Sequence, residues 1–394
     1  MKELWFTSDG PVLPEQLTWF ERRALMIGRY RLQRGDANVQ AGLQTLLAEA
    51  DHWMTQGPWS VTYKQDLAPT KDPHDYVSQS PYFWPNPITK KPYIPRDGRV
   101  NPERDKLDSI PMSQMCQAAQ TLALAWWFTG QERYAERAAL VLRTWYVDPA
   151  TRMNPHMRFA QRVPGLLAGA WWGIIESHLM VWIPDCVAMM QGWSGWTQHD
   201  TAVMQRWFGD MARWLLTSRA GRMEARMENN HGTWYDVQVA SFSLFAGDTE
   251  QGQRVIMSAR RRLVQQLRAD GSQPHELART LPTHYCLFNL KAWVALARVG
   301  ETLGDDLWRW RDARGVGLPR ALEWLEPILT GARKPPKRDL RPHSAFDPAL
   351  IWRRAARAYH AERYEAMITQ FRPETAPEML RRLDLLEPLV FGRV

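Results

Sequence analysis

The chain has 394 residues, 45% of them hydrophobic and 23% charged, a composition typical of a globular protein with a large core. The formal net charge of +8 favours acidic partners such as nucleic acid, anionic lipid or an acidic polysaccharide. Because the basic residues form no Lys/Arg-rich arm and no zinc-finger or RNP signature occurs, we expect no nucleic-acid partner. No stretch suggests a membrane span, so we expect no membrane partner either.

Cysteine is scarce, which argues against a disulfide-stabilised domain and against a cysteine-ligated metal site. Cys116, Cys186 and Cys286 are too few and too scattered for a disulfide framework or a metal site. The first ten residues lack the apolar segment of a signal peptide. We therefore expect a cytoplasmic protein or, if a signal peptide has been removed, a periplasmic or secreted one.

From about Pro111 onward the spacing of apolar residues predicts successive amphipathic helices. Several are joined by short Gly or Asp turns such as the one at Gly130, and helix, short turn, helix is the αα-hairpin. Repeated hairpins predict an all-α toroid or solenoid of paired helices in a single domain over residues 1–394, and no alternating strand pattern follows residue 111. The predicted helices are 112–129, 132–145, 166–190, 201–216, 233–245, 250–267 and 285–303, with another pair from Pro348.

Residues 69–111 differ from the rest of the chain. Nine prolines in this stretch forbid a continuous helix. A long loop in a compact domain is usually functional or disordered, and the aromatic residues here argue against disorder. They are Tyr76, Tyr82, Phe83, Trp84 and Tyr93. We predict an ordered flap, residues 69–111, that covers a cleft in the helical body.

The segment Asn229-Asn230-His231-Gly232 lies between two predicted helices. Consecutive asparagines suit a turn, because Asn tolerates left-handed backbone and bonds the local main chain. Turn formation does not explain His231, which lies between the two amides and the glycine.

A second polar cluster spans residues 270–285 and precedes a strongly apolar helix. It contains His275, Glu276, Arg279, His284 and Tyr285. Neither cluster has an HExxH pattern or a Cys/His ligand spacing, so we expect no metal and no cofactor. The nearby run Arg260-Arg261-Arg262 is interpreted as the exposed face of a helix.

Both clusters, in this order, resemble the alginate lyase superfamily of (α/α) toroids, and polysaccharide lyase family 38 more closely than family 5. The resemblance covers most of residues 50–300. Its supporting motifs lie at 74–78, 82–87, 97–103, 151–156 and 161–165. Two departures concern substrate identity more than reaction type: His156 replaces an expected Asn, and Ala170-Trp171-Trp172 stands where an Arg is expected.

The resemblance implies metal-independent β-elimination on an acidic, 1,4-linked polyuronate such as alginate, mannuronan or glucuronan. It assigns catalytic roles to Asn230 and His231, which neutralise the C5 carboxylate, and to Tyr285, which moves the proton with help from Arg279. In mannuronate and glucuronate one Tyr can serve as base and acid; in guluronate His231 would be the base. The substrate-binding candidates are Asn229, Tyr82, Trp84, Arg158, Gln161, Trp234, His275 and His284, each of which also has an ordinary structural interpretation.

Two alternatives stay open from the sequence. An α/α-toroid glycoside hydrolase acting on uronate-containing oligosaccharides would need two carboxylates, for which Asp236 and Glu276 are candidates. A non-catalytic helical scaffold is favoured if the 21 tryptophans only fill the core. The sequence does not distinguish which uronate is cut, endo from exo cleavage, or the oligomeric state.

Overall fold

The computed structural model describes residues 17–342, 346–371 and 377–387. Across these residues α-helices dominate, and four short strands accompany them. The helices are α1 (Arg22–Gln33), α2 (Ala37–Met54), α3 (Ser109–Thr129), α4 (Glu132–Leu142), α5 (Ile183–Met190), α6 (Gln198–Thr217), α7 (Arg219–Glu224), α8 (Asn230–Phe245), α9 (Thr249–Gln266), α10 (Pro274–Leu277), α11 (Pro282–Thr302), α12 (Leu318–Leu329), α13 (Phe346–Tyr359), α14 (Glu362–Ile368) and α15 (Pro377–Leu386). The strands are β1 (Val77–Gln79), β2 (Phe83–Asn86), β3 (Lys90–Pro95) and β4 (Phe159–Arg162).

The predicted helical hairpins are present. Gly130 ends α3 in left-handed backbone (φ 66°), and its N–H donates to the carbonyl of Trp126 at 2.7 Å before α4 turns back along α3. Gly247 (φ 89°) separates α8 from α9, and Asp248 caps α9 by accepting from the N–H of Gln251. The prediction of an all-α fold is confirmed.

Helices α8 and α11 lie at the centre of the molecule. They pack against each other, and almost every side chain of either helix is buried, so neither has a solvent face. Their N-terminal turns carry Asn230, His231, His284 and Tyr285. The fold therefore places both predicted polar clusters at the N-terminal ends of two neighbouring helices, where the helix dipole favours an anion.

The flap is ordered and joined to the helical body. Strands β2 and β3 form an antiparallel hairpin, and β1 pairs in parallel with β4. Asp75 fastens the flap, because it accepts from Asn154 Nδ2 at 2.8 Å and lies 3.1 Å from His156 Nε2. One short strand, β4, does follow residue 111, and its four residues are too few for a clear alternating pattern.

The predicted helix 166–190 takes a different form. Trp171–Trp182 is a 3₁₀ helix, and the α-helix α5 begins only at Ile183, with Pro184 in its first turn. By length and composition Trp171–Met190 could cross a bilayer, contrary to the sequence-based expectation. Its most apolar part is 78% buried inside the protein, which is typical of a core helix.

Candidate active site

A cavity of about 430 Å³ lies between the flap, the 3₁₀ helix Trp171–Trp182 and the N-terminal ends of α8 and α11. Cations, amides and aromatic rings share its wall, which suits a polar, anionic ligand with flat faces. Its lining residues are Ser80, Pro81, Tyr82, Phe83, Pro95, Asp97, Arg104, Gln161, Trp172, Ile175, Glu176, His178, Asn230, His231, Arg279, His284, Tyr285 and Phe288.

Tyr285 is held by two polar neighbours in this cavity. Its hydroxyl accepts a hydrogen bond from Arg279 Nη2 at 2.8 Å and donates to the hydroxyl of Tyr82 at 2.9 Å. The Arg279 guanidinium also lies 3.8 Å from the centre of the Tyr285 ring. Burial raises the pKa of Tyr285 well above its ordinary value and outweighs the opposing effect of Arg279. The resting side chain is therefore a neutral phenol.

Asp97 of the flap fixes the position of Arg279. Its carboxylate accepts from Arg279 Nη2 at 2.6 Å and from the hydroxyl and N–H of Thr280 at 2.8 and 3.1 Å. Burial alone would raise the pKa of Asp97, yet these hydrogen bonds lower it to about 2. The carboxylate stays ionised at any working pH, so the flap and the segment before α11 remain joined beside Tyr285.

Asn230 is oriented by a buried carboxyl group. Its backbone N–H donates to one oxygen of Glu276 at 2.6 Å, and its side-chain Nδ2 donates to the other at 2.7 Å. Burial raises the pKa of Glu276 to about 7, against the lowering effect of these two hydrogen bonds. Because an amide carries two N–H groups, the second one on Nδ2 stays available to a ligand in the cavity.

His231 has a carboxylate behind it. Its Nδ1 lies 2.7 Å from Oε1 of Glu224, which is fully buried. A carboxylate only accepts hydrogen bonds, so this contact assigns the proton to Nδ1 and leaves Nε2 for the cavity. Nε2 is a base in the neutral imidazole and a donor in the imidazolium.

Gly232 completes the motif because no larger residue fits. A Cβ at this position would lie 2.1 Å from both Arg262 Nη1 and the carbonyl oxygen of Met227. Arg262 binds this turn and pairs with Asp236 at 2.6 Å. The interpretation of residues 260–262 as an exposed helix face was therefore wrong for Arg262, which is largely buried and holds the turn before α8 by its hydrogen bond to the Met227 carbonyl.

Three of the predicted substrate-binding residues line the cavity. Tyr82 bonds Tyr285, and His284 stacks on Phe288 with an interplanar angle of 5°. Gln161 is buried and has left-handed backbone (φ 47°), a strained conformation for a residue other than glycine and one that is common near ligand sites. Their geometry is compatible with substrate contact, which remains a prediction.

Four predicted residues lie outside the cavity but are partly or fully exposed. Asn229 caps α8 and accepts from the N–H of His231 at 3.2 Å. Trp84 donates to the carbonyl of Arg99 within the flap at 2.9 Å. Arg158 and His275 are exposed. A role for these side chains in binding a longer polymer stays a prediction.

Trp234 requires a correction. Its side chain is completely buried and packs against His178, with ring centres 4.7 Å apart. It follows Asn230 by one helical turn and therefore lies deeper in the protein than the cavity wall. A fully buried ring presents no surface to a sugar, so its role in this structure is core packing.

Several groups at the site were not among its predicted catalytic and substrate-binding residues. Glu224 contacts His231 and Glu276 accepts from Asn230, and Glu176 and His178 line the cavity itself. Asp97 lay within a quoted motif without an assigned function. No local pattern identifies such partners, because they reach the site from other elements of the fold.

The two departures from the family pattern occupy different places. His156 contacts Asp75 and so belongs to the flap anchor, outside the cavity. Trp172 lines the cavity, stacks on Phe83 at 6.2 Å with an interplanar angle of 11°, and donates to Ser80 Oγ at 3.1 Å. Twelve of the described tryptophans are buried in the core, and of all the described ones only Trp172 lines this cavity.

The carboxylates proposed for a hydrolase are not arranged for that reaction. Asp236 forms a two-point ion pair with Arg262, and Glu276 is engaged by Asn230. Neither lines the cavity. Within the described part of the chain, no group of three or more His, Cys, Asp and Glu side chains is placed to hold a metal ion.

Comparison with known proteins identifies the family. The alginate lyase family model matches residues 60–334. The crystal structure of an alginate lyase from Bacteroides ovatus is 32% identical, covers 96% of this chain and 100% of that one, and superposes with a TM-score of 0.90. Alginate lyase A1-III from Sphingomonas species A1 is 16% identical over 87% of this chain and 94% of that one, with a TM-score of 0.55.

A tyrosine-to-phenylalanine variant of A1-III complexed with a tetrasaccharide has a TM-score of 0.58 at 15% identity, covering 93% of this chain and 95% of that one. At this identity the A1-III structures show the fold alone. No curated protein matches the chain. The predicted (α/α) toroid and the predicted superfamily are confirmed: the chain belongs to the alginate lyase family and is a polysaccharide lyase.

Proposed function

We propose that this lyase cleaves a 1,4-linked polyuronate by β-elimination in the cavity at the ends of α8 and α11. The observation that carries the proposal is the juxtaposition of two sets of groups on one wall. Asn230 and His231 offer donors for a carboxylate, and Tyr285 offers a phenol whose oxygen is already bonded by Arg279.

The first requirement of the reaction is neutralisation of the substrate carboxylate. The C5 proton of a uronate is hardly acidic while the adjacent carboxylate is ionised, so donors must stabilise the negative charge that develops. The free N–H of Asn230 and the imidazolium form of His231 supply such donors. The N-terminal end of α8 adds its dipole, and Arg104 and Arg279 contribute positive charge to the same cavity.

The second requirement is the transfer of two protons. A base removes the proton at C5, the C–H electron pair forms the C4=C5 double bond, the C4–O4 bond breaks, and an acid protonates O4. Tyr285 rests as a neutral phenol, which suits it to protonate O4. In mannuronate and glucuronate the C5 proton and O4 lie on one side of the ring, so Tyr285 serves both steps. Its phenolate, formed by loss of the phenol proton to solvent, takes the C5 proton, and the phenol so formed gives that proton to O4. In guluronate they lie on opposite sides, and Nε2 of neutral His231 takes it.

The chemistry of the site and the named relatives support the proposed substrate class. Amide, imidazole and guanidinium groups suit a carboxylate, and Trp172 with Phe83 offers aromatic surface to a sugar ring. The Bacteroides ovatus and Sphingomonas proteins are named alginate lyases. We therefore propose alginate, its mannuronate-rich form mannuronan, or glucuronan as the substrate.

Incubation of the purified protein with these three polymers, with and without a chelator, tests the proposal. The expected product from at least one polymer is an unsaturated, ultraviolet-absorbing end for each new reducing end. Its yield should be the same with the chelator as without it. New reducing ends without ultraviolet absorption would indicate hydrolysis. No new ends from any polymer would exclude this substrate class.

A further inference from the structure

His178 lines the cavity from the 3₁₀ helix and has no place in the elimination chemistry above. Its Nδ1 lies 2.7 Å from the carbonyl oxygen of Ile175. The ring packs between Trp234 and Phe288, with ring centres 4.7 and 5.3 Å away. The ring is therefore held in one orientation by a hydrogen bond on one side and by two aromatic neighbours.

The contact with Ile175 settles which nitrogen carries the proton. A carbonyl oxygen only accepts hydrogen bonds, so Nδ1 is the donor and the proton is on Nδ1. Burial lowers the pKa of His178 to about 4, so the imidazole is neutral at ordinary working pH. Nε2 is then an acceptor, and among the described residues none donates to it.

Glu176, two residues earlier, presents a second acceptor to the same cavity. One of its oxygens accepts from the hydroxyls of Tyr76 at 2.8 Å and Ser78 at 2.5 Å. Burial raises the pKa of Glu176 against the lowering effect of these two hydrogen bonds. The acceptor oxygens of Glu176 and the neutral imidazole nitrogen of His178 attract hydroxyl groups and disfavour a bound carboxylate. For a uronate in this cavity, these groups favour a pose with its carboxylate toward Asn230 and its hydroxyl groups toward this wall.

We propose that His178 Nε2, together with the carboxylate of Glu176, accepts hydrogen bonds from ring hydroxyls of the bound sugar and so selects uronates whose hydroxyls are free. This inference rests on the proposed function, because it assumes that a polyuronate occupies the cavity. It makes His178 a specificity-determining residue, since no proton of the reaction passes through it.

Two substitutions separate this role from a structural one. His178→Asn keeps a donor near Nδ1 for the Ile175 carbonyl and removes the acceptor, whereas His178→Gln places an amide oxygen near Nε2 and loses that donor. We expect His178→Asn to raise KM for an oligouronate about tenfold with kcat changed less than about threefold, and His178→Gln to raise KM less. If only the packing or the Ile175 contact matters, the Gln variant will be the more impaired of the two, and the inference is overturned.

A modified substrate tests the same claim on the wild-type enzyme. In an oligouronate with methylated ring hydroxyls the donors are gone, so we expect its kcat/KM with wild type to fall at least tenfold below that of the unmodified oligomer. In His178→Asn the ratio of kcat/KM between the unmodified and the methylated oligomer should be smaller than in wild type. Equal cleavage of both oligomers by wild type would overturn the inference while leaving the proposed function intact. The absence of unsaturated ends from the unmodified oligomer would instead remove the proposed function.

Discussion

Arg279 donates a hydrogen bond to the phenol oxygen of Tyr285 at 2.8 Å while its guanidinium covers the phenol ring. This contact stabilises a phenolate once it has formed, because the cation lies beside the new charge. The contact alone does not produce a phenolate, since burial raises the pKa of Tyr285 by more than Arg279 lowers it. The two effects together determine how the rate depends on pH.

Activity on mannuronan or glucuronan is expected to rise with pH. The raised pKa of Tyr285 means that the phenolate is a minor species at neutral pH, and its fraction grows about tenfold with each pH unit below that pKa. We expect log kcat/KM to increase with pH between about pH 7 and about pH 9 as long as His231 keeps its imidazolium form, measured on the fraction of enzyme that stays folded. A profile that falls across this range would mean that the phenolate of Tyr285 does not remove the C5 proton.

Glu276 is expected to make stability depend on pH. Its pKa rises from 4.5 to about 7 on folding, so the folded state retains a proton that the unfolded state releases between these values. This stabilisation is complete below about pH 4.5 and is lost as pH rises through about 7, a change of about 3 kcal/mol. Urea unfolding at several pH values measures it.

The matched variants are Glu276→Gln, which removes the titration, and Glu136→Gln, which changes an exposed glutamate on α4. The difference in unfolding free energy between wild type and Glu276→Gln should change by about 3 kcal/mol between about pH 4.5 and about pH 7. The difference for Glu136→Gln should stay constant. Parallel curves for wild type and Glu276→Gln would contradict the assignment.

Glu224→Gln is expected to separate activity from stability. Glu224 is fully buried, and its Oε2 has no hydrogen-bond partner. The amide keeps an acceptor for His231 Nδ1 but removes the charge that stabilises the imidazolium, so we expect kcat to fall about 10- to 100-fold. Because an incompletely paired buried charge is removed, Tm should equal or exceed that of wild type. A variant that loses stability in step with activity would show that Glu224 is only structural.

Trp172 and Trp171 form a matched pair for sugar binding. They are adjacent and half-buried, but only Trp172 lines the cavity. We expect Trp172→Ala to raise KM for an oligouronate about tenfold and Trp171→Ala to leave KM within about twofold, although both variants lose stability. Equal KM values in the two variants would remove Trp172 from the binding surface.

The helical part of the fold was predictable from sequence because apolar residues recur at helical spacing between Gly and Asp turns. The bounds of α3, α6, α8, α9 and α11 agree with the prediction to within three residues. Strand β4 was not predictable, since its pairing with β1 depends on a chain segment about eighty residues away. The 3₁₀ form of Trp171–Trp182 was also missed, because its apolar pattern matches a buried α-helix equally well.

At the site, too, local sequence motifs were predictable, whereas contacts with residues from other elements were not. The turn at Asn229 to His231 and the cluster before Tyr285 are visible as local motifs, and the family resemblance joined them. Glu224 and Glu276 become partners of His231 and Asn230 only when α7 and α10 approach the start of α8. Trp234 was misassigned because proximity along the chain was taken for proximity to the ligand, although the ring points into the core.

The most direct test of the account is Tyr285→Phe compared with Tyr235→Phe. Tyr235 is also a buried tyrosine whose hydroxyl donates one hydrogen bond, to the carbonyl of Leu215, but it lies outside the cavity. The measurement is the rate of formation of unsaturated ends from the polymer that wild type cleaves, with Tm as the control for folding. We predict that Tyr285→Phe folds but forms no unsaturated ends above background, whereas Tyr235→Phe stays active. Substantial unsaturated product from Tyr285→Phe would contradict the assignment of proton transfer to Tyr285.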